Sequence, residues 1–235
     1  MDAEIIAVGS ELLSGTKSDT NGPWLAARLA AVGISTRYQT IIGDHREDNL
    51  EALSLATRRA SLVLVSGGLG PTQDDLTREV VAEVAGRPLV EHSECLVQLR
   101  RFFGSRHREM PERNRVQALI PDGAEPLPNR IGTAPGLWVP IADSIVACLP
   151  GVPRELEIMY NEQVEPRLAR ISDLGVGRRF LLQEKINLFG RGESEIEAEA
   201  LDLTTRGRRP EVGITAHDGT ISFRVISEAS TREAA

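Results

Sequence analysis

Leu62-Val63-Leu64-Val65-Ser66-Gly67-Gly68-Leu69-Gly70-Pro71-Thr72-Gln73-Asp74-Asp75-Leu76-Thr77 is the stretch on which the fold turns. A short apolar run rich in β-branched residues and closed by glycine reads as a buried parallel strand. The glycines let backbone N–H groups approach an anion, and the helix that follows turns its positive N-terminal end toward them. Asp74 and Asp75 then stand where a cation could bridge to that anion. The plainer alternative is a tight strand-to-helix turn with Asp capping the helix, because glycine turns are common. The pair of acids weights the stretch toward a phosphate-and-metal site.

Working toward the N-terminus, Ala3 to Val8 forms the first strand. Asn21-Gly22-Pro23 opens a helix whose apolar stripe of Trp24, Leu25, Leu29 and Val32 ends at Gly33, with proline early and glycine late. A strand from Thr36 to Ile42 follows, then a turn at Gly43-Asp44 and a helix from about Asp48 to Arg59. After the quoted strand a helix runs from Leu76 to Ala85 and stops at Gly86-Arg87-Pro88. This alternation over the first ~85 residues is the pattern of a parallel sheet with crossover helices.

Toward the C-terminus, Ser93 to Leu119 is helical in pattern with a break near Pro111, and is expected to cover one end of the sheet. Strands at Gly136 to Val139 and Ser144 to Leu149 lead into Pro150-Gly151-Val152-Pro153 and a helix to about Ala169. Ligands of open α/β sheets gather beyond the carboxyl ends of the strands. Glu11, Asp44, Gly67 to Asp75 and Gly151 all follow strands, so they can share one rim. The character changes at the linker Ser172 to Gly177. Beyond it come a strand (Phe180 to Leu188), a Gly-Arg-Gly turn, an acidic helix (Glu193 to Leu203), two strands (Glu211 to Thr215 and Thr220 to Ile226) and a polar tail, Ser227 to Ala235. The expectation is an α/β domain with a mostly parallel sheet flanked by helices at 1–171, and a small α+β unit at 178–235. A packing helix would be expected where the tail stands, so the second unit is expected to be incomplete.

Composition sets limits. The 235 residues, 25.6 kDa, can bury a real core. No stretch approaches the ~18 apolar residues of a membrane span, and the start MDAEIIAVG lacks the basic region of a secretory signal. The expected place is the cytoplasm. Cys95 and Cys148 lie far apart without His or Cys neighbours, which suggests buried thiols rather than zinc or a disulfide framework. A net charge of -7 argues against a chain that coats nucleic acid or anionic lipid. The segment RRFFGSRHREMPERNR, from Arg100 to Arg115, carries six arginines and one histidine. It reads either as an amphipathic helix with a solvated basic face or as a groove that attracts an anion.

The candidate constellation is four carboxylates, Glu11, Asp44, Asp74 and Asp75, with the Gly67 to Gly70 turn and the segment Gly132-Thr133-Ala134-Pro135-Gly136. Oxygen ligands favour hard divalent cations such as Mg²⁺ or Mn²⁺, which bridge to phosphate oxygens. One carboxylate could take the proton of an attacking water. Each acid also has a modest role open to it: Asp44 in a turn, Glu11 in solvent, Asp74 and Asp75 as charges at a helix start. Neither the P-loop pattern nor the dinucleotide fingerprint occurs. Ser10, Ser14 and Ser66 have no convincing histidine partner, which disfavours a serine hydrolase.

Several segments together resemble the amino-terminal module of the CinA family, the competence/damage-inducible proteins, within the wider molybdopterin-binding (MoaB/MogA-like) fold. They are Ala3 to Leu13, Asp19-Thr20-Asn21, Gly43-Asp44, GGLGPTQDDLT, Asn114 to Ala118, Gly132 to Gly136 and Leu149 to Pro153. The unit carrying Phe189-Gly190-Arg191-Gly192-Glu193-Ser194 looks like the KH-like connecting domain of the same proteins. The resemblance implies a metal-dependent ADP-ribose pyrophosphatase, releasing AMP and ribose 5-phosphate with Mg²⁺, Mn²⁺ or Co²⁺. It implies Asp44 and Asp75 as the catalytic acids, and Asp44, Asp74, Asp75 and Glu11 as metal ligands. Substrate binding then falls to Gly67, Gly68, Gly70, Thr72, Asn21, Gly132, Thr133, Pro150, Gly151 and Val152. Gln73 stands where a lysine is expected in many members. A homo-oligomer, a dimer in the first instance, is implied, with no nucleic-acid or membrane partner. Full-length members often add a nicotinamide mononucleotide deamidase, for which these residues hold no counterpart. Two other readings remain: a pterin-nucleotide binding module without hydrolysis, and a non-catalytic oligomerisation unit of such a deamidase.

Overall fold

The computed structural model describes residues 1–173, 180–217 and 219–229. β1 (Asp2–Val8) is buried from Ala3 onward, as a strand paired on both edges requires. Its one buried charge, Glu4, is 1% exposed and fully engaged: it accepts Arg59 Nε at 2.7 Å, Arg59 Nη2 at 2.6 Å and Thr40 Oγ1 at 2.8 Å. A two-pronged guanidinium and a hydroxyl offset the cost of removing that carboxylate from water. After β1 come the short α1 (Ser10–Leu13), α2 (Asn21–Ala31), β2 (Ser35–Ile42), α3 (Arg46–Arg59), β3 (Leu62–Ser66) and α4 (Thr77–Val84). Apart from α1, which the sequence reading did not foresee, the periodicity placed these elements to within about two residues.

The next region departs from expectation. β4 (Leu89–Glu91) pairs antiparallel with β5 (Leu119–Pro121), and between them lie α5 (Ser93–Gly104) and a 3₁₀ segment, Glu112–Ala118. Leu119 therefore belongs to a strand and not to a helical cover. The basic segment is split as well, because α5 stops at Gly104 before most of its arginines. Arg106 lies over the Phe102 ring and Arg115 pairs with Glu91 and Glu112, so this surface is solvated and partly self-neutralised. β6 (Glu125–Leu127), β7 (Gly136–Ile141) and β8 (Ser144–Leu149) complete the sheet. α6 (Pro153–Met159), a π-helical turn at Tyr160–Val164 and α7 (Glu165–Asp173) follow. Ser172 and Asp173, read as linker, are helical; the remainder of that linker, 174–177, lies outside the described residues.

Strand order is β2-β1-β3-β8-β7-β6, parallel from β2 to β8, with β7 and β6 added antiparallel. The chain steps from β1 to β2 on one side, then crosses back to β3 on the other. Right-handed crossovers place α2 and α3 on opposite faces, and the crevice opens between β1 and β3. Ile6, Val8, Val63, Val65 and Val146 pack on one face with Leu53 of α3, Val80 and Val81 of α4, and Leu99 of α5. The register aligns Ala7 with Ser66 and Ser66 with Leu149, so the loops after β1, β3 and β8 leave the sheet side by side.

The chain divides into two compact units, Met1–Ala27 with Ser35–Arg170, and Arg28–Ile34 with Ile171–Ala235. The second contains a three-stranded antiparallel sheet, order β10-β11-β9, of β9 (Phe180–Phe189), β10 (Glu211–His217) and β11 (Thr220–Ala229). The acidic helix is two, α8 (Glu193–Glu199) and α9 (Leu201–Thr204), interrupted at Ala200. Ile196 on α8, Ala200 between the two helices and Ile221 on β11 are buried. Ser227 to Ala229, expected to be tail, extend β11, and 230–235 lie outside the described residues.

Candidate functional site

A cleft of about 670 Å³ opens at the carboxyl ends of β1, β3 and β8. That is the size of a small-molecule site at the position where doubly wound sheets bind ligands. Of the candidate residues it brings together Glu11, Asn21, Asp44, Gly67, Gly68, Gly70, Asp74, Asp75, Thr133, Pro150, Gly151 and Val152. Thr72 and Gly132 do not line it. Thr72 faces the other side of its loop, beside Gln73 and Arg113, and Gly132 sits behind the wall near Cys95 and Asn129.

The glycine loop is pinned through its carbonyls. Gly67 O accepts the Thr77 hydroxyl at 2.9 Å and Gly68 O accepts Thr77 N–H at 3.1 Å. Leu69 O accepts Arg78 Nη1 at 2.5 Å and Gln117 Nε2 at 3.2 Å, and Gly70 O accepts Arg78 Nη2 at 2.6 Å. A trans peptide sets its N–H opposite its C=O. With the Gly67 and Gly68 carbonyls turned onto α4, the N–H groups of Gly68 and Leu69 turn to the cleft, where no acceptor meets them among the described residues. Gly67 and Gly68 hold φ of 105° and 66°, and a methyl group at Gly68 would overlap the Thr77 hydroxyl. Only glycine meets both demands.

Asp75 is committed to the same loop. Its Oδ1 accepts Gly70 N–H at 2.8 Å, its Oδ2 accepts Thr72 N–H at 2.9 Å, and the Thr72 hydroxyl also donates to Oδ2. It closes a turn and does not cap the helix, because α4 begins only at Thr77. Asp74, on the exposed side, is held below the usual carboxylate range first by the nearby Thr72 hydroxyl, for whose one proton it competes with Asp75, and then by its own backbone N–H. Asp44 and Ser10 exchange two bonds: Ser10 N–H donates to Asp44 Oδ2 at 2.9 Å, and Asp44 N–H donates to Ser10 Oγ at 3.0 Å. That exchange ties the loop after β2 to the loop after β1 and leaves Asp44 Oδ1 open. Glu11 lies 3.6 Å from Lys17 Nζ at the rim.

Asn21, at the start of α2, donates through Nδ2 to Ser66 Oγ at 2.8 Å and to Gly151 O at 2.9 Å, joining the ends of β3 and β8. Asp19 accepts Gly22 N–H at 3.0 Å and fixes that helix start. On the far wall Asn129 accepts Gly132 N–H at 2.8 Å, and donates to Ala134 O at 2.9 Å and to Glu155 Oε2 at 2.7 Å. Arg78, Asn129, Lys17 and Glu155 escaped the sequence reading, and Asp19 and Gln117 entered it only inside matched segments, without a role. The cue for Asn129 and Glu155 was faint, since one precedes a glycine loop and the other opens a helix after proline. Arg78 gave no cue, because a charged residue in a first helical turn reads as solvated.

Six carboxylates and one lysine line the cleft: Glu11, Asp19, Asp44, Asp74, Asp75 and Glu155 against Lys17. Among the described residues no three acidic, histidine or cysteine side chains converge to ligate one ion. An all-protein cage for calcium or zinc is not what this donor set builds. It suits an ion such as Mg²⁺, which keeps several waters and takes one or two carboxylates plus phosphate oxygens. Both cysteines are buried, and burial pushes the Cys148 thiol up to about 12 and Cys95 up to about 11, so neither is a nucleophile at neutral pH.

Comparison with known proteins supplies the family. Residues 4–170 match the family described as "Probable molybdopterin binding domain", and residues 183–235 match "Damage-inducible protein CinA KH domain". A CinA-like protein of Crocosphaera subtropica is 40% identical over 235 residues, covering 98% of this chain and 55% of that protein. One from Rippkaea orientalis is 39% identical over 239 residues, covering 100% and 56%. The chain thus spans about half the length of the curated relatives it matches. The crystal structure of the protein CinA, of unknown function, from Thermoplasma acidophilum superposes with a TM-score of 0.67 at 32% identity, over 71% of this chain and 97% of that one. The molybdopterin biosynthesis enzyme MoaB of Thermus thermophilus, at 22% identity and a TM-score of 0.51 over 74% and 94%, shares the fold. Among the described residues no helix is long and apolar enough to cross a membrane. With both of its modules matched in order, the chain belongs to the CinA family, joining a MoaB/MogA-like molybdopterin-binding-type domain to a CinA KH domain.

Proposed function

We propose that this chain hydrolyses the diphosphate bond of ADP-ribose with the help of a divalent cation, giving AMP and ribose 5-phosphate. One observation carries the reading. The Gly67 to Gly70 loop spends every carbonyl on the protein and turns the Gly68 and Leu69 amides into a cleft lined by six carboxylates. Paired amides are built for an anion, yet a cleft with so much negative charge repels one unless a cation comes with it. A divalent ion held by Asp74 and its own waters would offset the charge of the diphosphate and acidify a bound water.

In the reaction, water oxygen bonds to one phosphorus as that phosphorus loses its bond to the bridging oxygen, and the bridge leaves with the other phosphate. The Gly68 and Leu69 N–H groups hold phosphate oxygens whose charge grows toward the transition state. Asp44, oriented by its exchange with Ser10, accepts the water proton at Oδ1. Asp75 acts through the loop it closes. Asn21, Pro150, Gly151 and Val152 bound the space for the nucleoside. The reading includes a homodimer, which sedimentation tests.

The experiment is AMP release from ADP-ribose, followed by chromatography with Mg²⁺, Mn²⁺ or Co²⁺ and again with chelator. Turnover that chelator abolishes, and that falls about 100-fold or more in Asp44→Asn, is the expected result. Absence of AMP under every metal overturns it. Binding of a phosphorylated pterin without any cleavage would put a binding module in its place.

A further inference from the structure

We propose that Arg78 is the positioning residue that keeps the Leu69 and Gly70 carbonyls turned away from the phosphate cleft. The inference rests on the phosphate-cleft reading above and assigns its working geometry to one side chain. Arg78 is 4% exposed, and no carboxylate forms an ion pair with it among the described residues. Its two prongs go instead to the successive carbonyls of Leu69 and Gly70, at 2.5 and 2.6 Å. A buried guanidinium spent on two backbone oxygens is an expensive arrangement, and in this fold it buys the orientation of two peptide planes.

The planes matter because of what their reversal would do. Thr77 fixes the peptides that begin at Gly67 and Gly68, and Arg78 fixes the next two. Leu69 O has a second donor in Gln117, but Gly70 O has Arg78 alone among the described residues. Residue 71 is proline, so the Gly70 peptide has no N–H with which to anchor itself. Without Arg78, that carbonyl is free to rotate toward the cleft, and an acceptor would then face the space a phosphate oxygen must enter. Arg78 also places a fixed positive charge behind the loop, in a molecule whose cleft carries six acids and one lysine on its open side.

The test uses the whole chain and two probes, inorganic pyrophosphate and AMP, each titrated with Mg²⁺ present. In the wild type, amide resonances of Gly68 and Leu69 should move most on binding, and that of Gly70, already bonded to Asp75, should move less. Arg78→Gln should bind either probe about tenfold to 100-fold more weakly, the loss expected for charge-assisted hydrogen bonds. Arg78→Lys, which keeps the charge and loses the fork, should fall between the two. A purely structural arginine would lower the unfolding midpoint and leave affinity in the surviving folded protein unchanged. Folded Arg78→Gln binding within twofold of wild type overturns the inference while the phosphate reading stands. If neither arginine variant folds, the wild-type titration decides through the Leu69 and Gly70 carbonyl carbons, which should hold their positions when a probe binds; a Gly70 carbonyl that shifts as far as the Gly68 and Leu69 amides overturns the inference. Failure of the wild type to bind either probe overturns both.

Discussion

Two glycine turns, each followed by an acidic stretch, look alike in this sequence and are opposites in the fold. At Gly67 to Gly70 each carbonyl meets a buried donor and Asp75 collects two backbone N–H groups. At Gly190-Arg191-Gly192 a side chain added to either glycine would meet nothing within 4 Å. There Arg191 folds back onto its own helix, reaching Glu199 at 2.7 and 2.6 Å and Glu195 at 2.6 Å. The first turn leaves the Gly68 and Leu69 N–H groups without an acceptor among the described residues. The second holds its cation, Arg191, against two glutamates of the acidic helix it opens. What separates a site from a turn is where the carbonyls go.

The sharpest way to break this contrast is to add one methyl group at each turn. Gly68→Ala demands a left-handed backbone from alanine and overlaps the Thr77 hydroxyl. The cost should be about 3 kcal/mol, from strain and overpacking together, seen as a lower urea midpoint, with phosphate binding lost. Gly192→Ala sits at φ of -78° in open space. It should stay within about 0.5 kcal/mol of wild type. Equal effects at the two positions would dissolve the distinction.

Asp75→Asn tests the same loop with no change in volume. The carboxylate meets Gly70 N–H with one oxygen and Thr72 N–H with the other. An amide can answer only one of these donors and must point its own NH₂ at the second. We expect a loss of about 1.5–3 kcal/mol together with weakened phosphate binding. Full stability with lost turnover would instead assign Asp75 to direct chemistry, and is checked by denaturation and AMP release on the same preparation.

How far the sequence foretold this depends on range. β1, β3 and β8 were legible because continuous apolar runs closed by glycine or proline carry their own signal. β4, β5 and β6 have three residues each, too few to show a period, and exist only through their partners. Four of the six cleft carboxylates, Glu11, Asp44, Asp74 and Asp75, were found because each follows a strand, whereas Asp19 and Glu155 stand at helix starts and were not. Arg78 and Gln117 were missed for a physical reason: nothing nearby in sequence says a charged helix residue is buried, and the carbonyl that Gln117 meets lies 48 residues away. For Asp75 the plainer alternative in the sequence was a helix cap, and the structure makes it a turn closure instead; the two use the same residue type, and only the helix start at Thr77 separates them.

The smallest expected effect lies at the second turn. Arg191 draws the Glu195 and Glu199 carboxyls below their usual range, mainly through its hydrogen bonds to them. Groups with depressed native values contribute whatever stability they have above the unfolded carboxylate range, and lose it as pH falls through the lowered native values. All three side chains are exposed, so solvent and salt screen the pairs. Arg191→Ala should therefore shift the thermal midpoint at pH 7 by no more than about 2 °C, less in high salt, and not at all once the medium is acid enough to protonate both glutamates. A large, salt-resistant drop would mean that the clasp organises the KH unit as Arg78 organises the cleft. The two glycine turns would then differ in ligand, and not in how firmly the protein holds them.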